Sequence, residues 1–308
     1  MMTTVLVDPA PEQGDVRHLI YRGDLVLFTN VTAVAELVDF ARDQLTEIFA
    51  PFDPEEAHLH FSPEEAANIL AKWKPAFMRL ERTKHLLKAI VEEVGFPLNE
   101  THVDLLKART AFPVGHLSTG IAFAFPWHRD TWYAAPAQQI NWWLPIFEVF
   151  NTNAMKFDLA RFAAPVSNSS TTFDYYTINR DRLKTATQTK VETQSRPAAI
   201  DHDPDDFTVV LPRPGSVLLF SGNHLHATIP NESGRSRYSI DFRTVDRRDV
   251  IQGVGAQVVD ADCTGTSLRD FVNAVTGDPF DEELVRKLHG DPPVDAFLVF
   301  PSELSTPR

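Results

Sequence analysis

Two segments of the chain carry the residue types that bind transition metals. The first is Trp127-His128-Arg129-Asp130, and the second, far downstream, is His224-Leu225-His226. In an extended backbone, residues i and i+2 point to the same side, so the His128 imidazole and the Asp130 carboxylate can converge on one ion. A His-x-Asp pair alone is a common pattern, and polar residues in a surface turn would produce it equally well. Two imidazoles and one carboxylate, however, form the facial triad of non-haem Fe(II) oxygenases, which leaves positions open for a chelating co-substrate and O₂.

The position of the third ligand depends on the residues downstream of the second segment. His224 and His226 have the same parity, so strand geometry does not choose between them. Eleven residues after His226 lies Arg237, on a predicted strand with alternating apolar residues. A planar guanidinium is the natural bidentate partner for the distal carboxylate of 2-oxoglutarate. This spacing favours His226 as the metal ligand and Arg237 as the co-substrate residue. His224 is then either a substrate-facing group or a structural histidine.

Three further side chains could contribute to such a site. Asn141, on the predicted strand 138–147, could hydrogen-bond the keto-acid end of 2-oxoglutarate, or it could be an ordinary sheet amide. Trp132 and Tyr133 follow the first ligand pair and could wall a substrate pocket, although core packing is the usual role of such aromatic residues.

Charged residues on two predicted strands are weaker candidates. Lys107 and Arg109 share one face of the strand 102–112 and could supply a further carboxylate contact, although surface charge explains them as well. Arg235 and Arg243 lie on either side of Arg237 and compete with it for the co-substrate role.

The elements that must position these residues change type along the chain. Periodic apolar positions predict helices over 32–49 and 83–94, and Ser62-Pro63-Glu64-Glu65 has the features of a helix N-terminus. Short segments rich in β-branched and aromatic residues predict strands, namely Val5–Val7, Leu25–Phe28, 102–112, 117–125, 138–147, 207–211, 215–220 and 236–243. Two short helices are expected near 266–275 and 281–288. Helices followed by strands suggest an antiparallel sheet structure packed by N-terminal helices.

The segment 151–205 has a different composition from its neighbours. It is polar, rich in Ser, Thr and Asn, and long for a plain connection between strands. We predict that it forms a mobile lid that helps to select the substrate, and a surface insertion without contact to the site is the alternative.

Composition limits the function classes. A chain of 308 residues with a net charge of -13 is a poor nucleic-acid binder, since phosphate contacts need a basic surface. The single Cys263 excludes an internal disulfide and any cysteine-rich zinc or iron–sulfur site. No secretory signal and no apolar run of membrane-spanning length are visible. We therefore expect a cytoplasmic protein with a small-molecule substrate and no nucleic-acid or membrane partner.

Taken together, the motifs resemble the phytanoyl-CoA hydroxylase-like branch of the Fe(II)/2-oxoglutarate dioxygenases. The resemblance rests on His128-x-Asp130, on Pro214-Gly215-x-Val217-Leu218-Leu219-Phe220, and on His226-x-Thr228-x-Pro230-Asn231-x-Ser233-x3-Arg237. It covers roughly 102–150 and 206–245.

The resemblance implies a mainly β fold with N-terminal helices and a double-stranded β-helix (jelly-roll, cupin-like) core. It also implies that Thr228 shares the co-substrate carboxylate with Arg237. We expect one dioxygenase domain over 1–308. In it, 1–100 packs on the core, 101–245 forms the core including the 151–205 segment, and 246–308 is a C-terminal extension.

The resemblance is incomplete, and this bears on the reaction. Asn151-Thr152-Asn153-Ala154-Met155-Lys156-Phe157 lacks the Asn-Gly turn and the Pro-Gly-Ser-His segment of many family members, so the substrate is not inferred from them. Asp130 occupies the position that halogenating relatives replace by Gly or Ala, which favours hydroxylation with release of succinate and CO₂. The alternatives are a cupin-like metal enzyme that does not use 2-oxoglutarate, and a catalytically silent jelly-roll binding protein.

Overall fold

A computed structural model describes residues 3–113, 125–178 and 196–293. Its α-helices are α1 Val16–Tyr21, α2 Thr32–Phe49, α3 Ala57–His60, α4 Pro63–Arg79, α5 Glu81–Glu93, α6 Arg247–Gln252 and α7 Glu282–His289. Its strands are β1 Val5–Val7, β2 Leu25–Phe28, β3 Thr101–Val103, β4 Lys107–Ala111, β5 Ile140–Pro145, β6 Met155–Asp158, β7 Thr208–Val210, β8 Val217–Ser221, β9 Leu225–Thr228, β10 Arg237–Asp246 and β11 Val272–Asn273.

The strands form two sheets. The larger has the order β1-β2-β8-β5-β10-β3-β11, with β4 also paired to β10, and the smaller has the order β7-β6-β9. All neighbours are antiparallel except β1 and β2. From β5 to β10 the chain passes repeatedly between the two sheets, which is the topology of a jelly roll. The expected jelly-roll core with N-terminal helices is confirmed.

Strand alternation divides the larger sheet into a face toward the helices and a face toward the smaller sheet. On β10, Tyr238, Ile240 and Phe242 pack in one apolar cluster with residues of α2, α4 and α5. The alternate side chains, which begin with Arg237, therefore point toward the smaller sheet. On the neighbouring strands, Trp143, Leu218 and Phe220 point the same way and pack against Met155 and Phe157 of the smaller sheet. The space between the sheets thus has an apolar part and, along β10, a polar part.

Most predicted elements occur where they were expected. The helix over 32–49 has these bounds, and the Ser62 hydroxyl caps α4 in a capping box with Glu65. The expected helix 83–94 begins two residues earlier, at Glu81. The expected strand over 117–125 lies almost wholly outside the described residues.

Two segments differ in part from expectation. The segment 266–275 is not one α-helix: it forms a 3-10 helix over Ser267–Asp270 and then β11, because Val272 and Asn273 pair with β3. The 151–205 segment, predicted as a lid, contains near its beginning β6, the central strand of the smaller sheet, so Met155–Asp158 belong to the core. β6 has only four residues and follows a polar stretch, so its pairing on both sides, rather than its local sequence, determines its conformation.

Among the described residues, no helix combines the length and the apolar character needed to span a bilayer.

Candidate metal centre

The three ligands expected from the sequence lie together at one end of the space between the sheets. One ligand atom of each of His128, Asp130 and His226 lies within 4.8 Å of those of the other two. His128 Nε2 is 3.8 Å from Asp130 Oδ1, and the two imidazole centroids are 4.2 Å apart. Within the described residues, this is the group of His, Cys, Asp and Glu side chains that could hold a metal ion.

Backbone hydrogen bonds bring the two ligand segments together. His128 and His226 form an antiparallel bridge in which each amide donates to the other's carbonyl over 2.9 Å. The Asp130 amide donates to the carbonyl of Gly222, in the turn between β8 and β9, over 2.8 Å. The first ligand pair is therefore bonded directly to the turn and strand that carry the third ligand.

Both ligand histidines are oriented through their Nδ1 atoms. His128 Nδ1 lies 2.8 Å from the carbonyl oxygen of Pro126, and His226 Nδ1 lies 2.9 Å from that of His224. Because a carbonyl only accepts, each Nδ1 carries the proton and each Nε2 keeps a lone pair for a metal ion. Burial and the neighbouring His226 lower the pKa of His128 to about 3, so this imidazole is neutral at pH 7.

The two oxygens of Asp130 have different partners. Oδ2 accepts hydrogen bonds from Gln139 Nε2 at 2.8 Å and Asn141 Nδ2 at 2.7 Å, while Oδ1 faces His128. Burial alone would raise the pKa of this carboxyl. The two imidazoles, the nearby Arg243 guanidinium and the Asn141 hydrogen bond instead hold the pKa below its ordinary value. The carboxylate is thus ionised, with Oδ1 left to bind a metal ion.

Gln139 is a functional residue that the sequence analysis missed. Its Nε2 also donates to Asn141 Oδ1 at 2.9 Å, so the two amides support each other beneath Asp130. The available signal was that Gln139 lies two residues before Asn141, so that in extended backbone the two side chains point to the same side at the start of β5. Asn141 was expected to contact 2-oxoglutarate, and the structure places it against the metal ligand.

Arg237 occupies a site suited to a carboxylate from outside the protein. It is only 8% exposed, and its Nη1 donates to the carbonyl of Asn153 at 2.8 Å. Its Nε is buried without a hydrogen-bond partner, and no carboxylate among the described residues forms an ion pair with it. Burial and the nearby Arg109 lower its pKa to about 10, so it stays charged at neutral pH.

Two hydroxyl residues lie near Arg237 in the fold. Thr228 pairs with Met155 on β6, two residues from the Asn153 carbonyl that Arg237 binds. Ser239, which the sequence analysis missed, follows Arg237 on the same face of β10, and its hydroxyl is fully buried with no partner among the described residues. A buried hydroxyl without a partner is uncommon, and this one is available to a ligand or a water molecule.

No family model matches the chain. A search of curated proteins likewise finds no match. Among solved structures, EvdO2 from Micromonospora carbonacea var. aurantiaca is 14% identical, with 76% of this chain and 91% of EvdO2 covered and a TM-score of 0.46. A second EvdO2 structure, complexed with 2-oxoglutarate, has a TM-score of 0.44. SnoK, a non-haem α-ketoglutarate-dependent carbocyclase from nogalamycin biosynthesis, is 14% identical, with 90% and 95% of the two chains covered and a TM-score of 0.41.

Two of the three residues expected to contact substrate lie in other environments. His224 is fully buried, its Nε2 donates to the Gly23 carbonyl at 2.9 Å, and its Nδ1 accepts from the Ser221 amide at 3.0 Å. Both ring nitrogens are therefore used structurally. Trp132 is also fully buried, packs with Trp127 and donates to a carboxylate, so it does not wall a pocket.

Tyr133 remains the aromatic candidate at the site. Its ring meets that of His128 edge to face, with centroids 5.5 Å apart, and packs in the same way on Phe173. Its hydroxyl donates to the Pro197 carbonyl at 2.6 Å. Burial and the charge of Asp130 raise its pKa, so the phenol stays protonated beside the ligands.

The remaining charged candidates are paired. Arg235 forms an ion pair with Glu55 at 3.2 Å and is half-exposed, so it does not compete with Arg237 for a buried carboxylate. Lys107 pairs with Asp104, and Arg109 pairs with Asp241 through Nε and Nη2. Arg243 also binds Asp104, through its Nε and Nη2 atoms.

Proposed function

We propose that this chain is a non-haem Fe(II)- and 2-oxoglutarate-dependent oxygenase that hydroxylates a small-molecule substrate. The observation that carries the proposal is a two-histidine, one-carboxylate cluster whose free Nε2 and Oδ1 atoms converge, in the same barrel as a buried arginine without a carboxylate partner among the described residues. A facial set of these donors with open positions is characteristic of Fe(II) sites that bind O₂ and a second ligand.

The residues fit the metal ion. His128 and His226 would supply two Nε2 donors, and Asp130 would supply one anionic oxygen. The carbonyls of Pro126 and His224 fix the ring orientations, and Gln139 and Asn141 hold the second carboxylate oxygen. When bound, Fe(II) with 2-oxoglutarate would supply O₂ activation, with release of succinate and CO₂.

The residues also fit 2-oxoglutarate. Arg237 would bind its distal carboxylate, with the unpartnered Nε and the buried Ser239 hydroxyl as donors. We propose Thr228 as a further donor, as the resemblance to phytanoyl-CoA hydroxylase-like enzymes implies. The Asn141 amide nitrogen already donates one hydrogen bond to Asp130, so only its other N–H could reach the keto-acid end of 2-oxoglutarate. The main effect of Asn141 is therefore on the metal ligand.

The chain surrounds the metal ligands with groups that exclude water from one side. Phe157 stacks on His226 with centroids 6.0 Å apart, and Phe220 meets the same ring edge to face at 5.1 Å. A dry site strengthens the attraction between a metal ion and its charged ligand. Tyr133, on the other side of His128, is the residue we propose to border the substrate.

Finer assignments form part of the same proposal and rest on the sequence. They are membership of the phytanoyl-CoA hydroxylase-like branch, a single domain over 1–308 and a cytoplasmic location. We keep the proposal of a lid for the residues of 151–205 that follow β6. Of these, residues 179–195 lie outside the described residues. The part from 196 onward approaches the site, because Pro197 binds the Tyr133 hydroxyl.

The test is succinate formation. Purified protein freed of metal is given Fe(II), ascorbate, O₂ and 2-oxoglutarate, with and without a pool of small-molecule metabolites. We expect succinate only when Fe(II) is present, in larger amount with the pool. A protein that binds Fe(II) but neither binds nor turns over 2-oxoglutarate would instead be the cupin-like metal enzyme. A protein that binds no metal would be the silent binding protein.

A further inference from the structure

Arg129 lies between the two ligands of the His-x-Asp pair, and its side chain is fully buried. In the extended backbone of this segment, it projects away from His128 and Asp130. A guanidinium has five N–H donors, and burial without acceptors for them is costly. The side chain must therefore find acceptors elsewhere in the fold, away from the metal ligands.

All five N–H donors of Arg129 have an acceptor. Nε donates to Asp260 at 3.2 Å, and Nη1 donates to the carbonyls of Phe162, at 3.2 Å, and Asn223. Nη2 donates to the carbonyls of Arg161, at 2.6 Å, and Ala164, at 2.9 Å. One side chain thus joins the first ligand segment to three other parts of the chain.

The connection to Asn223 bears directly on the metal site. Asn223 lies in the turn between β8 and β9, three residues before His226. Its own side chain donates to the carbonyls of Phe162, at 3.0 Å, and Gln257, at 3.1 Å. Arg129 therefore adds a buried side-chain link, beside the backbone hydrogen bonds of His128 and Asp130, between the first ligand segment and the turn that leads to His226.

Asp260 completes the arrangement from the C-terminal extension. Its Oδ2 accepts from Arg129 Nε and from the Val166 amide at 2.9 Å, and its Oδ1 accepts from Trp132 Nε1 at 2.9 Å. Asp260 thus binds the ligand segment on both sides of Asp130. Its side chain is 5% exposed, so the ion pair is almost completely shielded from solvent.

We propose that Arg129 and Asp260 are positioning residues that hold the His128–Asp130–His226 site in its metal-binding geometry before any ion enters. The inference rests on the metal-binding part of the proposed function. The backbone bridge between His128 and His226 holds the two chain segments, but the two imidazoles, with centroids 4.2 Å apart beside a carboxylate, gain little from one another without a metal ion. Side-chain contacts around the triad therefore help to keep the ligand atoms close together. Changes to groups that hydrogen-bond a metal ligand directly typically lower metal affinity by roughly 10–100-fold, and Arg129 and Asp260 act one contact further from the ligands.

The test compares Arg129→Lys and Asp260→Asn with a change in a buried ion pair that contacts none of the three metal ligands. Arg17, which is 9% exposed and pairs with Asp246 and Asp249, supplies the matched control Arg17→Lys. For each metal-free protein we would measure the melting temperature. We would then measure the Kd for Co²⁺, a spectroscopic substitute for Fe(II), and the visible absorption of bound Co²⁺.

We expect Arg129→Lys and Asp260→Asn to raise the Co²⁺ Kd about tenfold, at the low end of the range for direct partners of metal ligands, and to change its absorption spectrum. Arg17→Lys should lower the melting temperature to a comparable extent but leave Kd and spectrum unchanged. Equal Kd changes in all three variants at equal loss of melting temperature would overturn the inference, as would an unchanged Kd in both site variants. If Arg129→Lys does not fold, Asp260→Asn, which keeps the guanidinium, decides alone. Failure of the wild type to bind Co²⁺ would count against the proposed function instead.

Discussion

At the scale of single residues, hydrogen bonds occupy one polar atom of each ligand side chain and leave the other free to bind a metal ion. Each ligand imidazole uses Nδ1 for a carbonyl and keeps Nε2, and Asp130 uses Oδ2 for two amides and keeps Oδ1. His224, of the same parity as His226, uses both ring nitrogens within the fold. The choice between these two histidines, which strand parity left open, therefore depends on their partners.

The first prediction separates the two histidines. His226→Ala should weaken Fe(II) binding by more than the roughly 10–100-fold typical of changes outside the ligand set, because it removes a ligand atom. His224→Ala should lower the melting temperature, since it leaves the Gly23 carbonyl and the Ser221 amide unpaired, but the ion should stay bound. Anaerobic Fe(II) titration checks this. Loss of the metal in His224→Ala with retention in His226→Ala would reverse the ligand assignment.

The second prediction concerns the amides that hold Asp130. Asn141→Ala and Gln139→Leu each remove one donor to Oδ2, and each should raise the metal Kd by about tenfold. Gln139 serves as the matched control, because its amide nitrogen donates to the same Asp130 oxygen and to Asn141. If Asn141 instead acts mainly on 2-oxoglutarate, Asn141→Ala would raise the KM for 2-oxoglutarate at an unchanged metal Kd, and Gln139→Leu would leave that KM unaltered.

At the scale of elements, the sequence predicted the helices and strands whose conformation is determined by neighbouring residues. The bounds of α2, the capping box of α4 and the strands β5, β8 and β10 follow from apolar spacing and cap residues. β6 was missed because its pairing partners, β7 and β9, are distant in sequence. Gln139, Ser239 and Asp260 were missed for the same reason, since their roles arise from contacts that only the folded chain creates.

The third prediction concerns the junction between β3 and the C-terminal extension. His102 stacks on Phe280 with ring centroids 3.9 Å apart, and burial lowers its pKa to about 4. In the unfolded chain His102 binds a proton near its ordinary pKa of about 6.5, whereas in the folded chain it does so only near pH 4. The packing of neutral His102 therefore contributes fully to stability above about pH 6.5, and this contribution is lost as the pH falls toward 4. The loss should be on the order of 1–2 kcal/mol after allowance for partial solvent screening.

His102→Phe keeps the ring stacking and removes the titration. Urea unfolding at pH 7 and at pH 4.5 should therefore show a smaller acid-induced loss of unfolding free energy in the variant than in the wild type. An identical loss in the wild type and His102→Phe would refute the assignment of this step to His102.

At the scale of the whole molecule, charge is distributed unevenly. The chain carries a net charge of -13, yet the inward face of β10 and the adjacent β4 present four cations, namely Lys107, Arg109, Arg237 and Arg243. Asp104 and Asp241 form ion pairs with three of them, so two carboxylates face four cations and positive charge is left over. Arg237 is left for a ligand. A barrel interior with this arrangement attracts an anion that the protein surface repels.

The measurement that tests the central claim most directly is anaerobic calorimetric titration of 2-oxoglutarate into the Fe(II)-loaded protein. We predict that binding requires the metal and that Arg237→Ala raises the Kd by about 10–100-fold, since a charge-assisted bidentate contact contributes roughly 1.5–3 kcal/mol. Arg235→Ala, which removes only a half-exposed ion pair, should leave the Kd unchanged. Tight binding of 2-oxoglutarate without metal, or equal effects of the two arginine variants, would contradict the account.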